Sequence, residues 1–178
     1  ISIAILAFLL CGGWVYYNTK IVNTYTSSDE DEEMAKTYEL TYKKYEKLAQ
    51  PRWVDLQYAI EIYPEQRNLF VDVKGHVVNK TNESIRDIHF NIPSSLDSVV
   101  INIPGAKIAL NDTRLKYRIY RLTTPMMPGD TLLIHTYGHH IAKGFENYVS
   151  NTSVTQNGTF FNNMEILPSI GYSTGAEL

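Results

Sequence analysis

The segment Asn157–Tyr172, with the sequence NGTFFNNMEILPSIGY, contains the residues best suited to bind a ligand. The adjacent amides of Asn162 and Asn163 and the carboxylate of Glu165 lie close enough in sequence to hold one charged amine between them. We therefore take Asn162, Asn163 and Glu165 as candidate ligand-binding residues. The alternative is a structural role, in which the segment forms a hairpin and an ordered loop anchored by its tyrosine.

Three histidines, His135, His139 and His140, superficially resemble a metal-binding group. Histidines four residues apart share a face on a helix, but this segment reads as a strand, on which their Cα atoms would be about 13 Å apart. A zinc ion binds nitrogen at about 2 Å and could not easily bridge that gap. We therefore expect structural roles for these residues and for the single strand histidines His76 and His89, and no metal site in this chain.

Other motifs with known chemistry are missing from the sequence. It has no glycine-rich phosphate loop and no G-x-S-x-G elbow, and its single cysteine, Cys11, permits neither an intrachain disulfide nor a cysteine metal site. The acidic run Asp29–Glu33 lacks the ligand spacing and central glycine of a calcium loop. A net charge of −3 over 178 residues provides no basic field for nucleic acid. We therefore expect neither catalytic residues nor nucleic-acid binding.

The first 17 residues, ISIAILAFLLCGGWVYY, carry no charge and end in aromatic residues. A membrane-spanning helix needs roughly 20 apolar residues, and aromatic side chains mark its interface. We predict a transmembrane helix over residues 1–19 that lacks its first residues, because the sequence begins with isoleucine and reads as a piece of a longer chain. A signal-peptide core and a buried helix are the alternatives. Lys20 is the only basic residue close behind the apolar run, and the next charged residues, Asp29–Glu33, are acidic, so the remainder is expected outside the cytoplasm.

Residues 20–50 are predicted to form a linker and an amphipathic helix. Ser27 or Ser28 can cap a helix that runs to Gln50, with acidic residues in its first turn and lysines near its end. Apolar residues at spacings of three and four form one stripe, consisting of Met34, Tyr38, Tyr42, Tyr45 and Leu48. The helix is either a partner-binding stalk or a spacer that packs against the sandwich or a neighbouring part of the parent chain. We favour the spacer.

Residues 51–178 are predicted to form an all-β domain. Alternating apolar residues in Trp53–Pro93 indicate three long strands joined by polar turns, which favours an antiparallel meander. A later strand is predicted over Thr131–Tyr137, a loop over Gly138–Gly144, and the last one or two strands within Val149–Phe161. Because a meander with one apolar face must be covered by another layer, we predict an antiparallel β-sandwich.

Several short motifs occur in order along the chain: QPRW, YRIYRL, PGD, GF, NGTFFNN and LPSIGY. Together they resemble the N-terminal β domain of the aminopeptidase N family of zinc peptidases, over residues 50–178. The resemblance is closer to the bacterial branch in which the peptidase follows the membrane helices of an ABC-transporter-type permease. The stretch from NGTFFNN to LPSIGY is its most specific part.

This resemblance implies a saddle-like sandwich that packs on a catalytic peptidase domain and forms one wall of the peptide cleft, without catalytic residues of its own. The parent would be anchored in the bacterial cytoplasmic membrane and would bind zinc in its downstream catalytic domain. The family uses a glutamine to help bind the substrate's amino terminus, and the corresponding position here falls near Thr159. That role is therefore not transferred, and Asn162, Asn163 and Glu165 are the candidates to replace it.

Two readings of a different class remain beside this one. The chain could be a non-catalytic, extracytoplasmic binding or docking module of a transporter-like membrane protein. A weaker option is an adhesion-like β domain on a stalk helix, which predicts tandem copies of the sandwich.

Overall fold

The computed structural model describes residues 2–23, 26–145 and 153–178. Its N-terminal helices are α1 (Ser2–Tyr16), which continues as a π-helical segment (Tyr17–Val22), and α2 (Ser28–Tyr42), which ends in a 3-10 turn (Lys43–Tyr45). The long strands are β1 (Arg52–Tyr63), β2 (Asn68–Val78), β3 (Ile85–Asn91), β4 (Ser98–Asn102), β5 (Ala106–Asp112), β6 (Tyr117–Met126) and β7 (Thr131–His140). The remaining elements are β8 (Val154–Thr155), β9 (Gly158–Thr159), α3 (Asn163–Ile166), β10 (Ser169–Ile170) and a 3-10 turn (Thr174–Ala176).

The strands form two four-stranded antiparallel sheets, in the orders β1-β2-β7-β4 and β10-β3-β6-β5, while β8 and β9 form a small hairpin. One hydrophobic core joins both sheets. Its most deeply buried side chains, each at most 1% exposed, are Val71, Val73, Val77, Ile88, Phe90 and Ile134. The predicted antiparallel β-sandwich is therefore confirmed.

The three-strand meander predicted over Trp53–Pro93 is wrong, because β3 belongs to the second sheet. The β1–β2 hairpin does form, but the chain then crosses between the layers. Asn79, which is 1% exposed, holds this crossing. Its Nδ2 donates to the carbonyl oxygens of Glu83 at 2.7 Å and Met126 at 3.1 Å, which fixes the turn after β2 against the end of β6.

The predicted start of the loop Gly138–Gly144 is three residues too early, because β7 continues to His140. β7 is an inner strand that pairs on both sides, and Gly138 lies opposite both Val71 and Val99. A Cβ at Gly138 would lie 2.8 Å from a methyl group of Leu96, so the glycine also permits close packing there. The strands expected within Val149–Phe161 are β8 and β9, and residues 149–152 of that prediction lie outside the described residues.

The predicted cap of α2 is confirmed, but its predicted end is wrong. Ser27 Oγ accepts from Glu30 N, and Glu30 Oε2 accepts from Ser27 N at 2.8 Å, which is a capping box. The chain leaves the helix after the 3-10 turn at Tyr45 and not at Gln50. The Gln50 side chain instead bonds to β3, accepting from His89 N at 2.9 Å and donating to the carbonyl of Asp87 at 3.0 Å.

The apolar stripe of α2 packs on the outer face of the second sheet, as the spacer interpretation predicts. Tyr38 and Tyr42 are each 3% exposed. The Tyr42 ring stacks on that of Tyr117 with centroids 4.1 Å apart, and Tyr38 stacks on Tyr172 at 5.2 Å. We call these four residues, together with Tyr45, the tyrosine cluster. At the C-terminal end of the predicted stripe, Leu48 remains 43% exposed.

The 21 residues Ser2–Val22 form one helix that is long and apolar enough to cross a membrane. Its large apolar side chains are exposed, among them Ile3 (84%), Phe8 (76%) and Leu10 (67%). The helix therefore does not serve as a core helix of the sandwich. An apolar N-terminal helix with these properties fits a membrane anchor or a signal sequence.

Candidate functional site

The predicted ligand-binding residues lie at the beginning of α3, on the segment that leads into β10. Asn162 Oδ1 accepts a hydrogen bond from Met164 N at 2.8 Å. Glu165 accepts from Asn162 twice, from the backbone N at 3.3 Å and from Nδ2 at 3.1 Å. The fold thus brings Asn162 and Glu165 together as a capping box, a motif whose spacing, Asn-x-x-Glu, is readable from the sequence. Asn163 lies apart from that pair and is exposed.

A groove of about 350 Å³ lies between the α3–β10 segment and the beginning of β1. Its walls are mainly apolar, and they include a few polar side chains. The lining residues are Pro51, Arg52, Trp53 and Leu56 from one segment and Asn163, Met164, Leu167, Pro168, Ser169 and Ile170 from the other. A concave site of this size with few polar groups suits one or two side chains of a peptide.

The β1 wall of the groove depends on Trp53 and on the glycine behind it. Strand pairing shifts by one residue between Trp53 and Asp55, so β1 bulges there. Gly75 lies opposite Leu56, and a Cβ at Gly75 would come within 2.5 Å of the Asp55 carbonyl oxygen. The Trp53 indole Nε1 is buried and has no hydrogen-bond partner among the described residues. The sequence pattern predicts Trp53 as a strand residue and as part of the QPRW motif, but it does not predict this groove.

Two large apolar side chains on the segment around the beginning of α3 are exposed to solvent, and one of them, Met164, lines the groove. Phe160 and Met164 are each 79% exposed, whereas the neighbouring Phe161 packs against the core. They flank the predicted residues Asn162 and Asn163 on the same short segment. We call Phe160 and Met164 the apolar pair. Exposed apolar side chains beside a groove are typical of a surface that contacts another protein or domain.

Two histidines of the first sheet, His76 and His135, each lie beside a single carboxylate. His135 Nε2 lies 2.7 Å from Asp72 Oδ1, and His76 Nδ1 lies 2.9 Å from Asp55 Oδ2. His135 lies on β7 as predicted, but the prediction that places His139 in a loop is wrong, because β7 continues to His140. Among residues 2–23, 26–145 and 153–178, no three His, Cys, Asp or Glu side chains are grouped so that they could hold a metal ion. The described residues of this sheet therefore form separate His–carboxylate contacts and not a ligand set.

Two further depressions lie away from the predicted residues. One, of about 460 Å³, is lined by residues of β4, β5, β6 and β7, including His135 and Tyr120. The other, of about 400 Å³, lies beside Phe70, Asp72 and Tyr137 on the β1-β2-β7 side of the molecule. No serine, threonine or cysteine is among the residues that line either depression.

His89 is a buried titratable residue on β3, beneath α2. It is 2% exposed, its Nδ1 lies 2.9 Å from the hydroxyl of Tyr117, and its ring meets Tyr45 edge-on at 4.6 Å. Burial lowers the pKa of His89 to about 4, and nearby Asp87 opposes that shift. Burial also raises the pKa of the Tyr117 hydroxyl. Both groups are therefore neutral at pH 7, and their place beneath α2 indicates a packing role.

Comparison with protein-family models and with curated proteins gives no match for this chain. The groove combines apolar walls with the amide of Asn163 and the hydroxyl of Ser169, and such a surface suits the binding of a peptide.

Proposed function

We propose that this chain is the non-catalytic N-terminal β domain of a membrane-tethered zinc aminopeptidase, an enzyme that removes N-terminal residues from peptides. In this proposal α1 spans the cytoplasmic membrane of a bacterium, and the sandwich lies outside the cytoplasm. The exposed apolar surface of α1 supports the span. The family resemblance over residues 50–178 supports the identity of the sandwich.

The observation that carries the proposal is the position of the apolar pair. Phe160 and Met164, each 79% exposed, stand on the segment in which the resemblance is most specific. Packing of a catalytic domain on this surface would remove both side chains from water, with a gain of roughly 1.5–3 kcal/mol for each. The adjoining groove would then become part of the cleft wall, with Asn163 at its rim.

The zinc ion belongs to the catalytic domain in this proposal. Among the described residues, no three His, Cys, Asp or Glu side chains are grouped so that they could hold a metal ion. Zinc in the parent would polarise the peptide carbonyl and activate water. This chain contributes a scaffold, a wall for the peptide, and the candidate amine contact formed by Asn162, Asn163 and Glu165.

The first test is the gene sequence beyond the codon of Leu178. The proposal expects an H-E-x-x-H motif followed by a glutamate on the next helix. A stop codon, or a continuation without these ligands, would remove the enzymatic function.

A second test uses the intact enzyme. Replacing Phe160 and Met164 together by serine should weaken the contact between domains and lower zinc-dependent release of N-terminal residues. Leu40→Ser is the matched control, because Leu40 is 77% exposed on α2.

Asn163→Ala tests the amine contact without loss of the α3 cap, and an unchanged kcat/KM for a peptide with a free amine would exclude that contact.

The groove also favours the second function, a docking module that binds an extended peptide or a partner subunit on a transporter-like protein. The same gene sequence separates the two, since a docking module needs no zinc ligands downstream. Peptide binding at the groove without any downstream peptidase motif would establish this alternative.

A further inference from the structure

The end of the sandwich nearest α1 is bonded directly to the helix. Asn23, which follows the π-helical segment, donates through Nδ2 to the carbonyl oxygens of Lys143 at 2.8 Å and Phe145 at 3.1 Å. Gly144 has φ +56°, and a Cβ built on it would overlap Asn18 Oδ1. Asn18 itself is only 3% exposed. The backbone after β7 is therefore fitted closely against the last turns of the helix.

The β1–β2 turn lies at the same end of the molecule. Arg67 donates through Nη2 to the carbonyl oxygen of Gly144 at 3.2 Å, and Ala142 N donates to Asn68 Oδ1 at 3.1 Å. The turn Pro64–Arg67 and the loop Ile141–Phe145 thus form one surface, which we call the helix-side end of the sandwich.

The helix sequence sets the height of this surface relative to a bilayer. Trp14 and Tyr17 stack at 6.4 Å and mark the position of the membrane interface. Asn23 follows Tyr17 by six residues, a rise of at most about 9 Å. The interfacial layer on each side of the hydrocarbon is about 5–8 Å thick. Contacts with Asn18 and Asn23 therefore hold the helix-side end at the level of the lipid headgroups.

The chemistry of the helix-side end suits that level. Phe145 is 40% exposed and Ile141 is 36% exposed, so both are available to the interface. Lys143 and Arg67 are basic, and Glu65 is the only acidic residue in the turn and loop. Aromatic and aliphatic side chains next to basic ones are typical of protein surfaces that rest on anionic lipid headgroups.

We propose that the helix-side end of the sandwich rests on the membrane, with Phe145 and Ile141 in the interfacial layer and Lys143 and Arg67 at the lipid phosphates. This inference rests on the membrane span proposed for α1. It also orients the molecule, because β1 runs from the turn at Tyr63 to Arg52 over roughly 35 Å. The groove beside Trp53 thus lies at the far end of β1, where a peptide reaches it from the aqueous phase.

The test uses the full chain in vesicles of phosphatidylcholine and phosphatidylglycerol, with a nitroxide on one cysteine at a time. A label at Phe145→Cys, in a Cys11→Ser background, should collide with an aqueous nickel chelate severalfold less often than a label at Leu133→Cys. Leu133 is the matched control, since it is 44% exposed but lies near the opposite end of β7. A second label at Ile141→Cys repeats the measurement on the same loop.

A label on the native Cys11, which is exposed on α1, tests the span by itself. The inference is supported if the label at Cys11 has the oxygen accessibility typical of hydrocarbon and the labels at positions 145 and 141 are protected from the nickel chelate. The same result at Cys11 with nickel accessibility at 145 equal to that at 133 overturns the inference and leaves the span intact. A water-exposed Cys11 overturns both. In vesicles of phosphatidylcholine alone, protection at 145 should decrease, because the basic residues then lack an anionic partner.

Discussion

His89 lies under α2, and its protonation opposes folding. The pKa of His89 is about 4 in the folded protein, below its ordinary value of 6.5, because the ring is buried against Tyr45 and Tyr117. Between pH 6.5 and 4 the unfolded chain therefore binds more protons at this residue than the folded chain does. The contribution of His89 to the free energy of unfolding therefore falls as the pH falls through this window, by up to about 1.4 kcal/mol per pH unit.

We expect His89→Asn to flatten the pH dependence of unfolding between pH 6.5 and 4.5, even if it lowers stability at pH 7. The measurement is denaturant unfolding in detergent, followed by the near-ultraviolet circular dichroism of the tyrosines. His76→Asn is the control for loss of an exposed histidine, because the His76 side chain is 46% exposed. An identical slope in His89→Asn and the wild type would contradict the prediction.

At the scale of elements, Gly75 connects the β1–β2 pairing to the groove. A Cβ at position 75 would lie 2.5 Å from the Asp55 carbonyl oxygen and 2.8 Å from a methyl group of Leu56. A backbone oxygen cannot move aside as a side-chain tip can, so β1 must shift.

We expect Gly75→Ala to destabilise the protein by about 1–3 kcal/mol in denaturant unfolding. Gly158→Ala, which meets no atom within 4 Å, should have little effect, and equal losses in the two variants would be inconsistent with this packing.

The alternation of apolar residues in β1 and β2 predicted those strands because a period of two is a local property of the chain. The layer to which β3 belongs was not predictable in that way. It depends on the bond from Asn79 to the carbonyl of Met126, which is 47 residues away. The end of α2 depends likewise on Gln50 reaching β3. Such long-range side-chain bonds leave no periodic signal.

The candidate site likewise combines local features, which the sequence predicts, with long-range features, which it does not predict. Asn162 and Glu165 lie together because they form a local capping box, whereas Asn163 takes no part in it, and ligand binding by the three residues stays a prediction. The sequence alone does not predict that Trp53 lines the groove. That position requires β10 to pair with β3 and so to approach the beginning of β1. The sequence likewise does not predict that Phe160 is exposed, because the adjacent Phe161 has the same side chain and packs against the core.

At the scale of the whole molecule, the contacts of Asn23 join the helix and the sandwich into one unit. Its two hydrogen bonds to Lys143 and Phe145 are each worth about 1 kcal/mol. Loss of both should raise the population of detached sandwich by more than tenfold, since about 1.4 kcal/mol corresponds to a factor of ten. A detached sandwich would change its orientation relative to the helix while its own core stays intact.

We therefore expect Asn23→Ala to broaden the distance distribution between a nitroxide on the native Cys11 and one at Leu133→Cys, measured by pulsed electron paramagnetic resonance in vesicles. Asn163→Ala, an exposed amide near the groove, is the control and should keep the wild-type width. Denaturant unfolding of the sandwich should change little in either variant, because the core between the two sheets does not include Asn23. A narrow distribution in Asn23→Ala would mean that the fit of Gly144 against Asn18 holds the two parts together without these bonds.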